Sequence, residues 1–324
     1  MVDPAAGVIL SVAPNPALDV TYELDGLRRG EVQRVRTVHE RPGGKAVNVA
    51  RVLHALAEPV LLTGFSGGPG GAALRVALAD TGLPVDLLDL LPDVRRTLVV
   101  READGVTTSL WEPGRPPDDP RAAADALLRR VATLLADADA LVVSGSLPPG
   151  VDPDLPARLA ALATDAGLPA VLDLDGPALR VAAAAGQAVL VPNRDELARL
   201  LAVVPETPAE AVRAARRLLP PEGKAPAIVL TLGADGMAVI HPERTLLARP
   251  PERVRGNPTG AGDAACAAIV RHLAAARSLA AVDWSALLVD AVALSAAAVL
   301  RPVAGEVDIE AYRRWRERIE VTET

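Results

Sequence analysis

Cysteine is almost missing from this 324-residue chain. Cys266 is the only one, which excludes a disulfide framework and a cysteine-rich metal site. It sits in an apolar run and reads as a small core residue. Aromatic residues make up only 2%, so Ala, Leu and Val must do the packing. Positive charge is not in excess either. The net charge of -7 argues against general nucleic-acid affinity, while leaving room for a local basic site for a phosphorylated small molecule. No apolar run reaches the length of a membrane span without a charge or a proline. The first residues lack the basic segment of a secretory signal, so a soluble, cytoplasmic protein with no membrane partner is the expectation. What the chain does have is a half share of hydrophobic residues, enough for one large α/β domain or two ordinary ones.

Short apolar runs and helix-like stretches follow one another in a regular way. Val8 to Ala13 ends at Pro14-Asn15-Pro16 and reads as a buried strand. Val20 to Val38 alternates loosely and carries many charges, which suits exposed, half-buried strands. Ala46 to Leu56 has helical spacing, and Val60 to Leu62 is a further strand before a turn crowded with glycines. Thr97 to Val100 and Val106 to Leu110 flank Asp104-Gly105, a hairpin signal. From Pro120 onward, helix-like and strand-like segments alternate as far as Ile228 to Leu232, which predicts a parallel sheet covered by helices on both faces. The Asp235-Gly236 turn introduces the strand-like Met237 to Ile240, and two helices, Ala264 to Ala276 and Trp284 to Leu300, close the chain. The polar strand regions at 17–38 and 94–112 predict a small second sheet beside one main domain spanning residues 1–324.

The most informative stretch is Asn257-Pro258-Thr259-Gly260-Ala261-Gly262-Asp263, which precedes a long apolar helical run. The first turn of a helix offers free backbone N–H groups and the positive end of the dipole, and glycines let an anion come close. An aspartate there would repel a phosphate that was merely bound. It makes sense where a hydroxyl must lose a proton while the turn neutralises a transferring phosphoryl group.

Ligands of open α/β sheets sit beyond the carboxyl ends of the strands. Polar or glycine-rich turns recur at those positions: Asn15 to Asp19, Gly43-Gly44-Lys45 with Asn48, Ser144 to Gly150, Asn193 with Glu196, Thr231 to Gly236, and Gly260 to Asp263.

This ensemble resembles the PfkB (ribokinase-like) carbohydrate kinases, most of all the 1-phosphofructokinase and tagatose-6-phosphate kinase branch. The resemblance runs from Asn15 to about Asp308 and is carried by Asn15-Pro16-Ala17-Leu18-Asp19, Gly43-Gly44-Lys45-Ala46-Val47-Asn48 and Gly260-Ala261-Gly262-Asp263. It implies a three-layer α/β/α fold with a mostly parallel sheet and a small β-sheet lid. It also implies that Asp263 is the catalytic base and that Gly260, Ala261 and Gly262 form the anion hole. Asp19, Gly43, Gly44 and Asn48 would line the sugar, with Ser144 and Ser146 near the phosphates. Lys45 and Arg96 would meet a phosphate already on the acceptor, although strand alternation turns only one of Arg95 and Arg96 inward. Asn193, Thr231, Gly233, Gly236, Gly260, Gly262 and Ser295 would lie along ATP. Asn193 and Glu196 would organise Mg²⁺, partly through water, and a monovalent cation is a further candidate activator. The family also implies homodimers joined through the lid.

The implied reaction is phosphoryl transfer from ATP to a phosphorylated ketohexose, with fructose 1-phosphate first and tagatose 6-phosphate or fructose 6-phosphate next. Ala46, Trp111, Val191 and Ala268 depart from the family pattern without touching the base or the anion hole. Three rivals stand beside this reading. A P-loop enzyme fails because Lys45 is followed by Ala46. A nicotinamide-dependent oxidoreductase could claim only Gly68-x-Gly70-x-x-Ala73, which leaves Asp263 unexplained. A non-catalytic sugar-phosphate-binding regulator would keep most of the same residues.

Overall fold

Successive residues of a strand face opposite sides, and in β1 (Val8–Ala13) both sides are apolar. Such a strand is stable only where both faces of a sheet are covered. The computed structural model, which describes residues 7–219 and 226–324, places β1 in the interior of a ten-stranded sheet. The strands of that sheet are β1, β4 (Val60–Ser66), β5 (Val85–Asp89), β8 (Ala138–Ser144), β9 (Ala170–Asp173), β10 (Val189–Leu190), β11 (Ile228–Thr231), β12 (Met237–Ile240), β13 (Thr245–Ala248) and β14 (Val321–Glu323). Their order is β14-β13-β12-β11-β10-β9-β8-β1-β4-β5, parallel from β5 to β11 and antiparallel from β11 to β14.

The alternation along β8 shows how the layers form. Ala140 and Val142 enter one core cluster, Leu141 and Val143 the other. The first cluster is closed by α1 (Lys45–Ala55), α8 (Ala261–Ala276) and α9 (Trp284–Val299). The second is closed by α3 (Pro120–Leu134), α4 (Leu155–Asp165), α5 (Gly176–Ala185), α6 (Arg194–Leu201) and α7 (Pro208–Arg216). Cys266, on α8, is one of the small residues of the first core. None of the described helices is long and apolar enough to cross a membrane.

A second sheet of four strands stands apart, in the order β3 (Thr37–Gly43), β2 (Ala17–Leu24), β6 (Arg95–Glu102), β7 (Thr107–Trp111). The chain enters it just after β1 and leaves it at Gly44, whose φ of 91° is open to glycine and starts α1.

Three expectations need correction. Strand structure does not run through Val20 to Val38: it stops at Leu24 and resumes at Thr37, because Arg28, Arg29, Glu31, Arg34 and Arg36 are exposed charges on an irregular excursion. The glycine-crowded stretch after β4 is the start of a helix, α2 (Gly68–Ala79), with Pro69 in its first turn, where a missing N–H costs nothing. The chain also does not close on two helices. It continues through α10 (Ile309–Arg316) to β14, a polar strand whose sequence has no apolar run and which is held by pairing with β13.

Candidate active site

Six of the turns at the carboxyl ends of the strands converge over the first core layer. Asp263 stands in the first turn of α8 and is only 7% exposed. Its Oδ2 accepts a hydrogen bond from Asn48 Nδ2 on α1 at 2.9 Å. Burial pushes its carboxyl up, repulsion by Asp173 adds to this, and Lys45 and Asn48 oppose it, leaving a pKa of about 7. The helix begins at Gly260, whose φ of 88° is left-handed and whose missing side chain matters, since a Cβ would stand 2.8 Å from Ala304. At Gly262 a Cβ would meet open space, so the turn borders a void there, while the Ala261 amide donates to Pro258 O at 3.2 Å. Asn257 braces the turn, donating from Nδ2 to Pro302 O and accepting at Oδ1 from Thr259 N.

That void is a cavity of about 1010 Å³. Asn193, Thr231, Gly233, Gly236, Gly262 and Ser295, expected along ATP, all line it together with Ala261, whereas Gly260, also expected there, is not in its lining. Val292, Ala296 and Val299 of α9 give it an apolar wall.

Lys45 lies elsewhere than expected. Its Nζ donates to Asp173 Oδ1 at 2.9 Å and to Glu196 Oε1 at 3.2 Å. Burial alone would lower its pKa, but the two carboxylates outweigh it and raise it. This ammonium is engaged by acids, not free for an acceptor phosphate. Asp173, at the end of β9, was not singled out in the sequence. Its other oxygen accepts from Ser144 Oγ at 2.7 Å. The available signal was an acid inside the apolar run Ala170 to Leu174. Burial raises the pKa of Glu196, Asp173 raises it further, and Lys45 and the Asn193 amide oppose the rise.

Asn193 and Glu196 form a reciprocal capping box: Asn193 Oδ1 accepts from Glu196 N at 2.8 Å, and Asn193 N donates to Glu196 Oε2 at 2.9 Å. The Asn193 Oδ1 is therefore engaged in the helix start. Among the described residues no group of three or more His, Cys, Asp or Glu comes together to hold a metal. The donor set is two hard carboxylates, Asp173 and Glu196, sharing one ammonium. It fits an ion such as Mg²⁺ that keeps its waters and takes few direct protein ligands, and it does not fit a protein cage.

On the small sheet Asp19 packs so closely on Gly43 that a Cβ there would lie 2.0 Å from the carboxyl carbon. Burial raises the pKa of Asp19 against the opposing Thr97 hydroxyl bond and the Arg95 and Arg51 charges. Pairing of β2 with β6 sets Arg95 beside Ala17, Arg96 beside Leu18 and Thr97 beside Asp19. Arg95 thus shares the face of Asp19, while Arg96 is exposed on the opposite face. Arg95 is further fixed by Nε to Asn15 O and by one terminal nitrogen to Glu112 O, both at 3.1 Å. The inward arginine is Arg95, and the expectation for Arg96 is corrected. Asn15 also donates to Ser146 Oγ and to Pro113 O, each at 3.1 Å.

Of the departures, Ala46, Val191 and Ala268 are buried packing residues, whereas Trp111 is exposed on β7. The dinucleotide fingerprint has its turn already occupied by protein: Asp93 Oδ1 accepts from Gly70 N at 2.7 Å, and Pro92 O would lie 2.3 Å from a Cβ on Gly68.

The model of the pfkB family of carbohydrate kinases matches residues 14–310. Phosphofructokinase-2 from Escherichia coli, solved in complex with potassium, is 27% identical, with 96% of this chain and 99% of that chain covered and a TM-score of 0.86. The same enzyme in complex with fructose-6-phosphate superposes at 0.84 over the same shares at 27% identity. A possible 1-phosphofructokinase from Thermotoga maritima shares the fold at 24% identity, TM-score 0.84, with 98% of this chain and 99% of that one covered.

Proposed function

The chain belongs to the pfkB family of carbohydrate kinases, and from that premise we propose that it transfers the γ-phosphoryl group of ATP to a hydroxyl of a phosphorylated ketohexose, fructose 1-phosphate first. The observation that carries this reading is Asp263, a buried carboxylate with a pKa of about 7 in the first turn of α8, a turn whose Ala261 and Gly262 line an open cavity.

A base poised near neutrality takes a proton without a large penalty in either direction. Asp263 removes the acceptor hydroxyl proton, the oxygen forms its bond to the γ-phosphorus, and the bond to the β-γ bridging oxygen breaks to release ADP. The Gly262 amide and the positive end of α8 meet the charge on the phosphoryl oxygens, as an oxyanion hole does, and the Ala261 amide joins them on leaving Pro258 O. Gly260 holds the turn that aims them. Asn48 orients the Asp263 carboxylate. Asp19 and Gly43 border the acceptor, with Arg95 and Ser146 towards its anionic end. Glu196 and Asp173 would hold the waters of a Mg²⁺ ion, which would supply neutralisation of phosphate charge. The four-stranded sheet acts as a lid that excludes water from the acceptor. Its exposed Val38, Leu110 and Trp111 suit the pairing of two chains through their lids.

The likeness of the Asn15 to Asp19 and Gly43 to Asn48 stretches to the 1-phosphofructokinase branch favours fructose 1-phosphate. The fructose-6-phosphate complex of the E. coli relative favours fructose 6-phosphate as the second reading. A panel of fructose 1-phosphate, fructose 6-phosphate and tagatose 6-phosphate with ATP and Mg²⁺ tests both. The preferred acceptor should show the highest kcat/KM, and no ADP formation with any of them would support a sugar-phosphate-binding regulator instead.

A further inference from the structure

We propose that the cleft between the small sheet and the 299–304 loop, which shares Asp19 with the acceptor pocket and Gly256, Pro258 and Val299 with the donor cavity, holds a further anion subsite on its arginine-lined side, which takes a small phosphomonoester. The cleft has a volume of about 380 Å³, in the range of small-molecule sites. Four arginines line it: Arg41 and Arg101 from the small sheet, Arg51 from α1, and Arg301 from the loop after α9. A single carboxylate serves three of them. Glu306 pairs with Arg41, with Arg301 at 3.2 Å and with Arg51 at 3.9 Å. Arg101 has no side-chain partner among the described residues. Among the described residues Asp19 is the only acid lining the cleft, and it is already engaged by Thr97. Four guanidinium groups against two carboxylates leave a surplus of positive charge in one recess of a chain whose net charge is -7.

A positive, partly enclosed recess in an acidic protein concentrates anions, and the planar fork of arginine matches phosphate oxygens. Arg51 is mostly buried and is fixed by donating to Ala304 O at 3.0 Å, so part of the site is preorganised. Thr259 completes the lining with a small polar group. Since Arg41 and Arg101 belong to one sheet and Arg51 and Arg301 to the other layer, an anion held by all four would tie the lid to the main body.

Calorimetric titration of the full chain with inorganic phosphate, and separately with glycerol 3-phosphate, tests this. Wild type should bind both, the phosphomonoester more tightly if a metabolite is the ligand and equally if phosphate alone is recognised. The paired substitution Arg101→Ala and Arg301→Ala, both at exposed or half-exposed positions, should weaken binding at least about tenfold, as loss of charge-assisted bonds does. Glu306→Gln should tighten it, because it removes the competing carboxylate; damage to the fold would not do that. Arg95→Ala should leave it unchanged. No binding by wild type at 10 mM ligand, on the order of the weakest useful affinity, would overturn the proposal. So would wild-type affinity in the paired variant, or loss of binding in Arg95→Ala, which would put the anion in the acceptor pocket.

Discussion

Asn48 gives its side-chain N–H to Asp263 Oδ2 at 2.9 Å, and both residues are almost wholly buried. The bond stabilises the ionised carboxylate against a burial penalty that favours the protonated form. The two effects together leave the acid titrating near neutrality.

Replacing Asp263 by Asn should lower kcat by roughly 10²–10⁴-fold, the usual contribution of a positioned base, while ATP still binds. Single-turnover kinetics with a nucleotide-binding assay checks this. Near-normal turnover would remove Asp263 from the role of base.

The pH profile should follow the same carboxylate. The acid limb of kcat/KM should fall with an apparent pKa of about 7. Asn48→Leu removes a donor to the charged form, so the limb should move to higher pH. A limb that stays in place, or moves down, would contradict the assignment.

Stability should carry the opposite signature from that of a salt-bridged acid. The folded-state pKa of Asp263 is raised from 3.8 to about 7, so the native state binds more protons than the unfolded state between those values. The protein therefore loses stability as pH rises from about 4 to 7. Asp263→Asn should raise Tm at pH 8, with a gain of up to about 4 kcal/mol, and the gain should shrink towards pH 4. Thermal melts at the two pH values distinguish this from a pH-independent effect.

Lys45→Met should leave Asp173 and Glu196 without their shared cation, destabilising the fold by about 2 kcal/mol or more. The loss should be smaller at low pH, where protonation of Glu196 relieves the repulsion, and turnover should fall through the donor side with KM for ATP affected. A change confined to KM for the acceptor would restore Lys45 to the acceptor phosphate.

Arg95→Ala should raise the acceptor KM at least about tenfold, in line with loss of a charged hydrogen bond, whereas Arg96→Ala should leave it within about twofold. Steady-state kinetics on both variants settles which arginine faces the substrate.

Local chemistry was readable along the chain. The alternation of apolar runs from Pro120 onward, the turn residues at the strand ends, and an acid inside a glycine turn at the start of an apolar helix all reflect short-range rules of period, turn geometry and helix-end charge. Those rules sufficed for the layered α/β architecture and for singling out Asp263. They could not choose between Arg95 and Arg96, because that depends on the parallel register of β6 on β2, 78 residues away. Nor could they place Lys45 between Asp173 and Glu196, contacts that span 128 and 151 positions. A side chain's charge environment is the sum over neighbours from every layer, and only the folded packing decides which neighbours those are.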